Sequence, residues 1–137
     1  MSTSADGPID TDSLLDIARA ARARAHAPYS DFPMGAAVLT SSGAQLPGAL
    51  VENVSLGLAM CAERVAMFKA LSEGHRVFTR IAIVADTESP TPPCGACRQI
   101  LWEFGGNLEI QLANLTEEKG RHHLKNLLPL PFDARLL

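Results

Sequence analysis

The cysteines constrain this chain more than any other feature. All three stand in two short segments about thirty residues apart, Cys61-Ala62-Glu63 and Pro93-Cys94-Gly95-Ala96-Cys97. Cys94 and Cys97, three apart, share one face if they lie on a helix and can then reach a single ion together. Cys61 supplies a third thiol and places a carboxylate two residues beyond it. Three thiolates hold a zinc ion and leave its fourth position open, as in a catalytic site, whereas structural sites are closed by four ligands. A fold that uses these residues together must bring the two segments to one point.

The surrounding sequence indicates how. Thr11, Asp12 and Ser13 are N-cap candidates for a helix running to about Ala25. Its apolar residues Leu14, Leu15, Ile17, Ala18, Ala21 and Ala25 recur at helical spacing, leaving Arg19, Arg22 and Arg24 to a solvated face. Pro28 and Pro33 break the helix. Met34–Thr40 and Ala44–Val51, with Ser41-Ser42-Gly43 between them, form a hairpin. Cys61–Ser72 reads as a helix with Gly74 at its end, and Arg80–Ala85 as a strand buried on both faces. Cys94–Phe104 is a second helix, entered through Pro92-Pro93 and ended by Gly105-Gly106. Leu108–Leu112 is a fourth strand and Leu124–Leu128 a short helix, with a polar stretch, Thr116–Lys125, overlapping the approach to it. The order predicts a layered α/β domain with a mixed sheet, because hairpins are antiparallel and βαβ units parallel. Residues 1–10 read as a flexible N-terminus and 11–137 as a single catalytic domain.

A net charge of −3 argues against a nucleic-acid backbone as partner, since phosphate binding relies on clustered Lys and Arg. The polar, acidic first dozen residues do not resemble a signal peptide, and no apolar run approaches the roughly 20 residues of a membrane helix. An odd number of cysteines, two in a C-x-x-C, fits metal binding in a reducing compartment. The expected location is cytoplasmic.

The helix assignments carry a chemical consequence. Cys61 would start one helix, and Cys94 with Cys97 another, so two helix N-termini, each with about half a positive charge, would converge on the thiols. Both dipoles favour thiolate. Zinc with three thiolates is nevertheless formally negative, and acidifies water less than zinc on three imidazoles. Arg64 is a candidate remedy, as a donor to the sulfurs; its plainer reading is a surface residue of the helix. Glu63 can lean over the open face of the metal without ligating it and move protons. Alone it would be an ordinary first-turn glutamate; beside an open three-thiolate site it is the candidate catalytic residue.

Cys61-Ala62-Glu63-Arg64 followed by Pro93-Cys94-Gly95-Ala96-Cys97-Arg98-Gln99 matches the pattern of the zinc-dependent nucleobase deaminases. With Pro28-Tyr29-Ser30-Asp31-Phe32, Gly35-Ala36-Ala37, Val51-Glu52-Asn53, and Leu127-Leu128-Pro129 followed by Phe132, the chain resembles the small homotetrameric cytidine deaminases. That resemblance implies a three-layer α/β/α fold with a central mixed sheet and one Zn2+ per subunit on Cys61, Cys94 and Cys97. It implies hydrolytic deamination of cytidine or 2′-deoxycytidine at C4, with ammonia released, as in pyrimidine salvage. Glu63 would shuttle the protons, the Ala62 N–H would contact the base, Phe32 would pack by the nucleoside, and Glu52 would hold the ribose. Phe132 would stack on a base held mainly by a neighbouring subunit of a homotetramer. By residue type alone, Phe32 and Phe132 would be core residues.

The chain departs from the family at two positions. Leu50 stands where an Asn usually contacts the sugar, and Leu56 where a Tyr usually reaches in from an adjacent subunit. Leucine can do neither polar job, and a group left unpaired commonly costs ~1–3 kcal/mol. Two readings follow: a somewhat weaker cytidine deaminase, or a deaminase of a modified cytosine nucleoside or other aminopyrimidine. Two other classes stand beside these. One is a non-catalytic zinc module closed by His122 or His123; the other is a nucleic-acid-editing deaminase, which an acidic chain with one Trp and one Tyr serves poorly.

Overall fold

A computed structural model of the chain describes residues 11–137. The residues read as a flexible N-terminus, 1–10, lie outside it. In chain order the elements are α1 (Thr11–Arg22), β1 (Met34–Thr40), β2 (Gln45–Ala49), a 3-10 turn (Leu56–Leu58), α2 (Ala62–Ser72) and β3 (Phe78–Ala85). There follow α3 (Gly95–Gly105), β4 (Glu109–Ala113), β5 (Glu118–His123), α4 (Leu124–Leu127) and a 3-10 turn (Ala134–Leu136).

One sheet, ordered β2-β1-β3-β4-β5, runs through the middle. Only β3 and β4 pair in parallel, with α3 as their crossover; β1–β2, β1–β3 and β4–β5 are antiparallel. Strand side chains alternate between faces, so each strand serves two cores. Val38, Ile81, Ile83, Ile110 and Leu112 pack against Ala66 and Met67 of α2 and Leu101 of α3. Ala37, Leu39, Ala82 and Val84 pack against Leu14, Leu15 and Ala18 of α1. The result is three layers, α/β/α. The unbroken apolar run in β3 is explained by its central place, covered on both faces. Burying each of its large aliphatic side chains stabilises the fold by roughly 1.5–3 kcal/mol.

Two glycines set how closely the layers approach. A Cβ on Gly35 would lie 2.2 Å from the carbonyl oxygen of Ala18, so α1 rests directly on β1. A Cβ on Gly48 would lie 2.3 Å from the backbone N of Ala66 and 2.6 Å from the carbonyl oxygen of Ala62. The first turns of α2 therefore lie against β2, which fixes the start of that helix relative to the sheet.

The structure differs from the sequence reading in places that have physical reasons. α1 stops at Arg22, and its arginines are not simply solvated: Arg19 Nε donates to the Asn114 carbonyl at 3.1 Å, and Arg22 Nε is buried. Strand β2 is shorter than Ala44–Val51, and Val51 instead forms isolated bridges with His26 and Met60. Strand β5 lies inside the stretch read only as polar. Glu118-Lys119-Gly120-Arg121-His122-His123 shows no apolar alternation because an edge strand need not bury a face, and charges there deter pairing with another chain. The apolar residues near the C-terminus divide: Leu127 and Leu128 pack against the core, while Leu130, Phe132, Leu136 and Leu137 are exposed. No helix among the described residues is long and apolar enough to cross a membrane.

Candidate active site

Helices α2 and α3 lie on the same face of the sheet and contact each other. Cys61 is the N-cap of α2 and Cys94 the N-cap of α3, both with extended backbone, and Cys97 lies in the first turn of α3. The three sulfurs all lie within 4.8 Å of one another. Thus the two helix starts converge, and their orphan N–H groups bring positive potential to one thiol cluster. Three soft sulfur donors at this spacing suit zinc. Cys97 is buried, Cys61 partly buried and Cys94 exposed, so the cluster opens on one side.

Glu63, in the first turn of α2, is only 2% exposed, and its Oε1 has no hydrogen-bond partner. An orphaned buried carboxylate oxygen beside a thiol cluster is a costly arrangement unless it serves a bound group. Burial pushes the carboxyl up to about 7, and the charge of Cys61 adds to the rise. A carboxyl poised near neutrality both accepts and donates protons.

Arg64 Nη2 donates to Cys61 Sγ at 3.3 Å. The Cys61 thiol is pulled down to about 5, first by a hydrogen bond from Cys97 and then by Arg64. Cys97 is pushed up by the same bond and by burial. Between these two thiols the hydrogen bond favours the anion on Cys61 and the proton on Cys97.

Glu52 is tied to this cluster through the backbone. Val51 and Met60, the residues just before Glu52 and Cys61, exchange two hydrogen bonds at 3.0 and 2.9 Å. The carboxylate of Glu52 accepts from the N–H groups of Tyr29 and Ser30 and from the Ser30 hydroxyl, and the last of these is the largest cause of its lowered pKa.

The family profile of the cytidine and deoxycytidylate deaminase zinc-binding region matches residues 9–111. The chain belongs to that family. It is 46% identical over 127 residues to a cytidine deaminase of Halalkalibacterium halodurans, covering 92% of this chain and 96% of that one. It is 43% identical over 125 residues to a cytidine deaminase of Sporosarcina psychrophila, covering 90% and 92%. In structure it is similar to a cytidine deaminase from Burkholderia pseudomallei, with a TM-score of 0.87 and 44% identity over 90% of this chain and 99% of that chain.

Within this deaminase fold the remaining predicted residues lie on several segments. Ala62 is the first residue of α2, where an N–H has no intrahelical partner. Phe32 and Phe132 are 38% and 59% exposed, so neither is the core residue that its type alone suggests. Leu50 is partly buried and its backbone is bonded to both Met34 and His26. Leu56 opens the 3-10 turn and is 75% exposed.

Sequence reasoning had Ser30, Arg98 and Gln99 within its motifs but gave them no role, and missed Trp102 and Asp133; these residues hold the site's frame. Arg98 donates to the carbonyls of Pro93 and Leu127, bracing the entry to α3 against the C-terminal segment. Gln99 donates to the Phe132 carbonyl and Trp102 to Asp133. Ser30 bonds both Glu52 and Phe32. Of these, only the Ser30–Phe32 bond had a local signal, a Ser two residues before the N–H it accepts.

Proposed function

We propose that residues 11–137 form a single catalytic domain, a zinc-dependent hydrolase that deaminates cytidine and 2′-deoxycytidine to the corresponding uridines and releases ammonia. One observation carries the reading: three convergent thiols at two helix starts, with the buried and unpartnered Oε1 of Glu63 beside them.

Cys61, Cys94 and Cys97 would hold one Zn2+. When bound, zinc supplies a positive charge that acidifies water and stabilises negative oxygen at the reacting carbon. Glu63 takes a proton from the attacking water and passes it to ring N3. It then takes the second proton, left on the new C4 hydroxyl, and gives it to the amino nitrogen as the C4–N bond breaks, so C4 keeps the water oxygen as a carbonyl and ammonia leaves. The Ala62 N–H holds the base, Phe32 packs by the nucleoside, and Glu52 accepts a hydrogen bond from the sugar. Arg64 draws charge from Cys61 and offsets the electron-rich ligand set.

The reading extends to a homotetramer, with Phe132 and Leu56 facing a neighbour's site. The exposed Val54, Leu56, Leu58, Leu130 and Phe132 support a covered surface. It extends also to a cytoplasmic role in pyrimidine salvage. Similarity to proteins named cytidine deaminases supports cytidine as the substrate over the modified nucleosides suggested by Leu50 and Leu56. A closed structural zinc site is disfavoured, because the metal-capable cluster includes neither His122 nor His123.

The test is turnover of cytidine by the zinc-loaded protein, followed by loss of cytosine absorbance and by ammonia release. Glu63→Gln should keep zinc and cytidine binding and lose about 10²–10⁴ in kcat. An inactive zinc-loaded wild type, or a fully active Glu63→Gln, would overturn the reading.

A further inference from the structure

The carboxylate of Glu52 is already heavily engaged within the chain. Its Oε1 accepts the N–H of Tyr29 at 3.0 Å and that of Ser30 at 3.2 Å. Its Oε2 accepts the Ser30 hydroxyl at 2.5 Å. An ionised carboxylate offers about four acceptor sites. Oε1 is saturated by two donors, and Oε2 keeps one site, on the same oxygen that Ser30 holds.

The Ser30 hydroxyl has a single proton, and that proton is committed to Glu52. Its oxygen in turn accepts the N–H of Phe32 at 3.1 Å. One hydroxyl therefore ties the residue proposed to hold the sugar to the residue proposed to pack by the nucleoside. The turn between them is under conformational demand. Asp31 has φ of 55°, in the left-handed region, and its N–H closes the turn onto the Ala27 carbonyl at 3.1 Å. Asp tolerates that region better than most residues. The bonds that Tyr29 and Ser30 donate to Glu52 hold the turn in place.

We infer that Ser30 is a positioning residue for sugar recognition: its hydroxyl fixes Glu52 so that the remaining acceptor site on Oε2 meets a hydroxyl of the nucleoside sugar, and it holds the Phe32 backbone in the same step. This rests on the proposed role of Glu52. Ser30 does not touch the reacting atoms, so its effect falls on binding and leaves the chemical step alone. The effect also depends on the sugar carrying a secondary hydroxyl.

The test uses the zinc-loaded full chain with two probes: cytidine as substrate, and 2′,3′-dideoxycytidine, which lacks both secondary hydroxyls, as a competitor. Ser30→Ala should raise KM for cytidine about tenfold, the scale of a lost hydrogen bond to a charged group. It should leave kcat within about twofold and raise the KI of the dideoxy compound by less than about threefold, the share lost through Phe32, and Ser30→Thr should restore KM to within about threefold. Where Ser30→Ala disturbs the fold, Ser30→Thr against Ser30→Val, equal in shape and differing in the hydroxyl, gives the same contrast. An unchanged KM, or an equal loss for both compounds, overturns the positioning role. Glu52→Gln separates the two layers of the argument. If it leaves KM for cytidine unchanged, the sugar role of Glu52 falls and the positioning role with it. If it raises KM while Ser30→Ala does not, only the positioning role falls.

Discussion

Arg64 Nη2 lies 3.3 Å from Cys61 Sγ, donating to a sulfur three residues earlier in the chain, across the first turn of α2. The bond runs from a cation to a thiol whose pKa is pulled down to about 5. Three thiolates leave zinc formally negative, and a donor to one sulfur draws density away from the metal. Arg64→Gln should therefore keep zinc near one per chain and lower kcat by about 10–100-fold. Arg64→Lys should fall between, since an ammonium is a point charge without the guanidinium's fork. Zinc content by atomic absorption beside steady-state kinetics checks this, and an unchanged kcat in Arg64→Gln would show that Arg64 does not tune the metal.

Metal removal should reveal the order in which the thiols ionise. With zinc stripped, Cys61 is held down at about 5 by the Cys97 hydrogen bond and Arg64, while that bond and burial push Cys97 up. The sign follows directly: above about pH 5 Cys61 is thiolate, the nucleophilic form, and Cys97 remains protonated. Iodoacetamide at pH 6.5 should modify Cys61 and spare Cys97, and zinc should protect both. Labelling of Cys61 should slow as pH falls through 5. Peptide mass spectrometry reads the outcome, and equal labelling of Cys61 and Cys97 contradicts it.

Most of the fold was legible where burial left a pattern. The Ile81-Ala82-Ile83-Val84 run and the glycines after α2 and α3 place β3 and both helix ends within a few residues. The cysteine spacing carried the centre, because metal ligation demands residue types that packing does not. What escaped lacked such a pattern. Strand β5 buries little, so its residues carry no periodicity. Ser30 and Glu52 are 22 positions apart, and Arg98 bonds a carbonyl 29 positions away. Hydrogen bonds of that range leave no trace in spacing. The exposure of Phe32 and Phe132 was likewise hidden, since an aromatic residue reads as core by type.

The C-terminal segment should respond to acid through Asp133. Its carboxylate accepts from Arg135 and from Trp102 Nε1, the latter at 3.0 Å, and Arg135 foremost pulls its pKa from 3.8 to about 2. A lowered folded-state pKa stabilises the docked segment above about pH 4, and that contribution is lost as pH falls toward 2. Trp102 is the sole tryptophan, so its emission reports the contact. The emission difference between wild type and Asp133→Asn should be constant above pH 4 and vanish toward pH 2. A difference independent of pH over that window rules out the ionised contact.

Gly48 should prove intolerant of even one added carbon. The Cβ of an alanine there would meet the N and Cα of Ala66 at 2.3 and 2.7 Å and the Ala62 oxygen at 2.6 Å, all backbone of α2. Backbone within a helix cannot swing aside as a flexible side chain does, so α2 must move away from β2. Overpacking of this kind costs about 1–3 kcal/mol or more. The movement also carries Cys61, the N-cap of α2, away from Cys94 and Cys97 on α3. Gly48→Ala should thus lower both the melting temperature, by roughly 3–10 °C, and zinc affinity in competition with a chelator. Gly105→Ala is the comparison: its Cβ would meet only the Leu108 side chain, at 3.2 Å, and its φ is not positive. A side chain can give where helix backbone cannot, so it should melt closer to wild type than Gly48→Ala and bind zinc normally. A Gly48→Ala protein that melts lower yet binds zinc as tightly as wild type would show that α2 yields without moving Cys61.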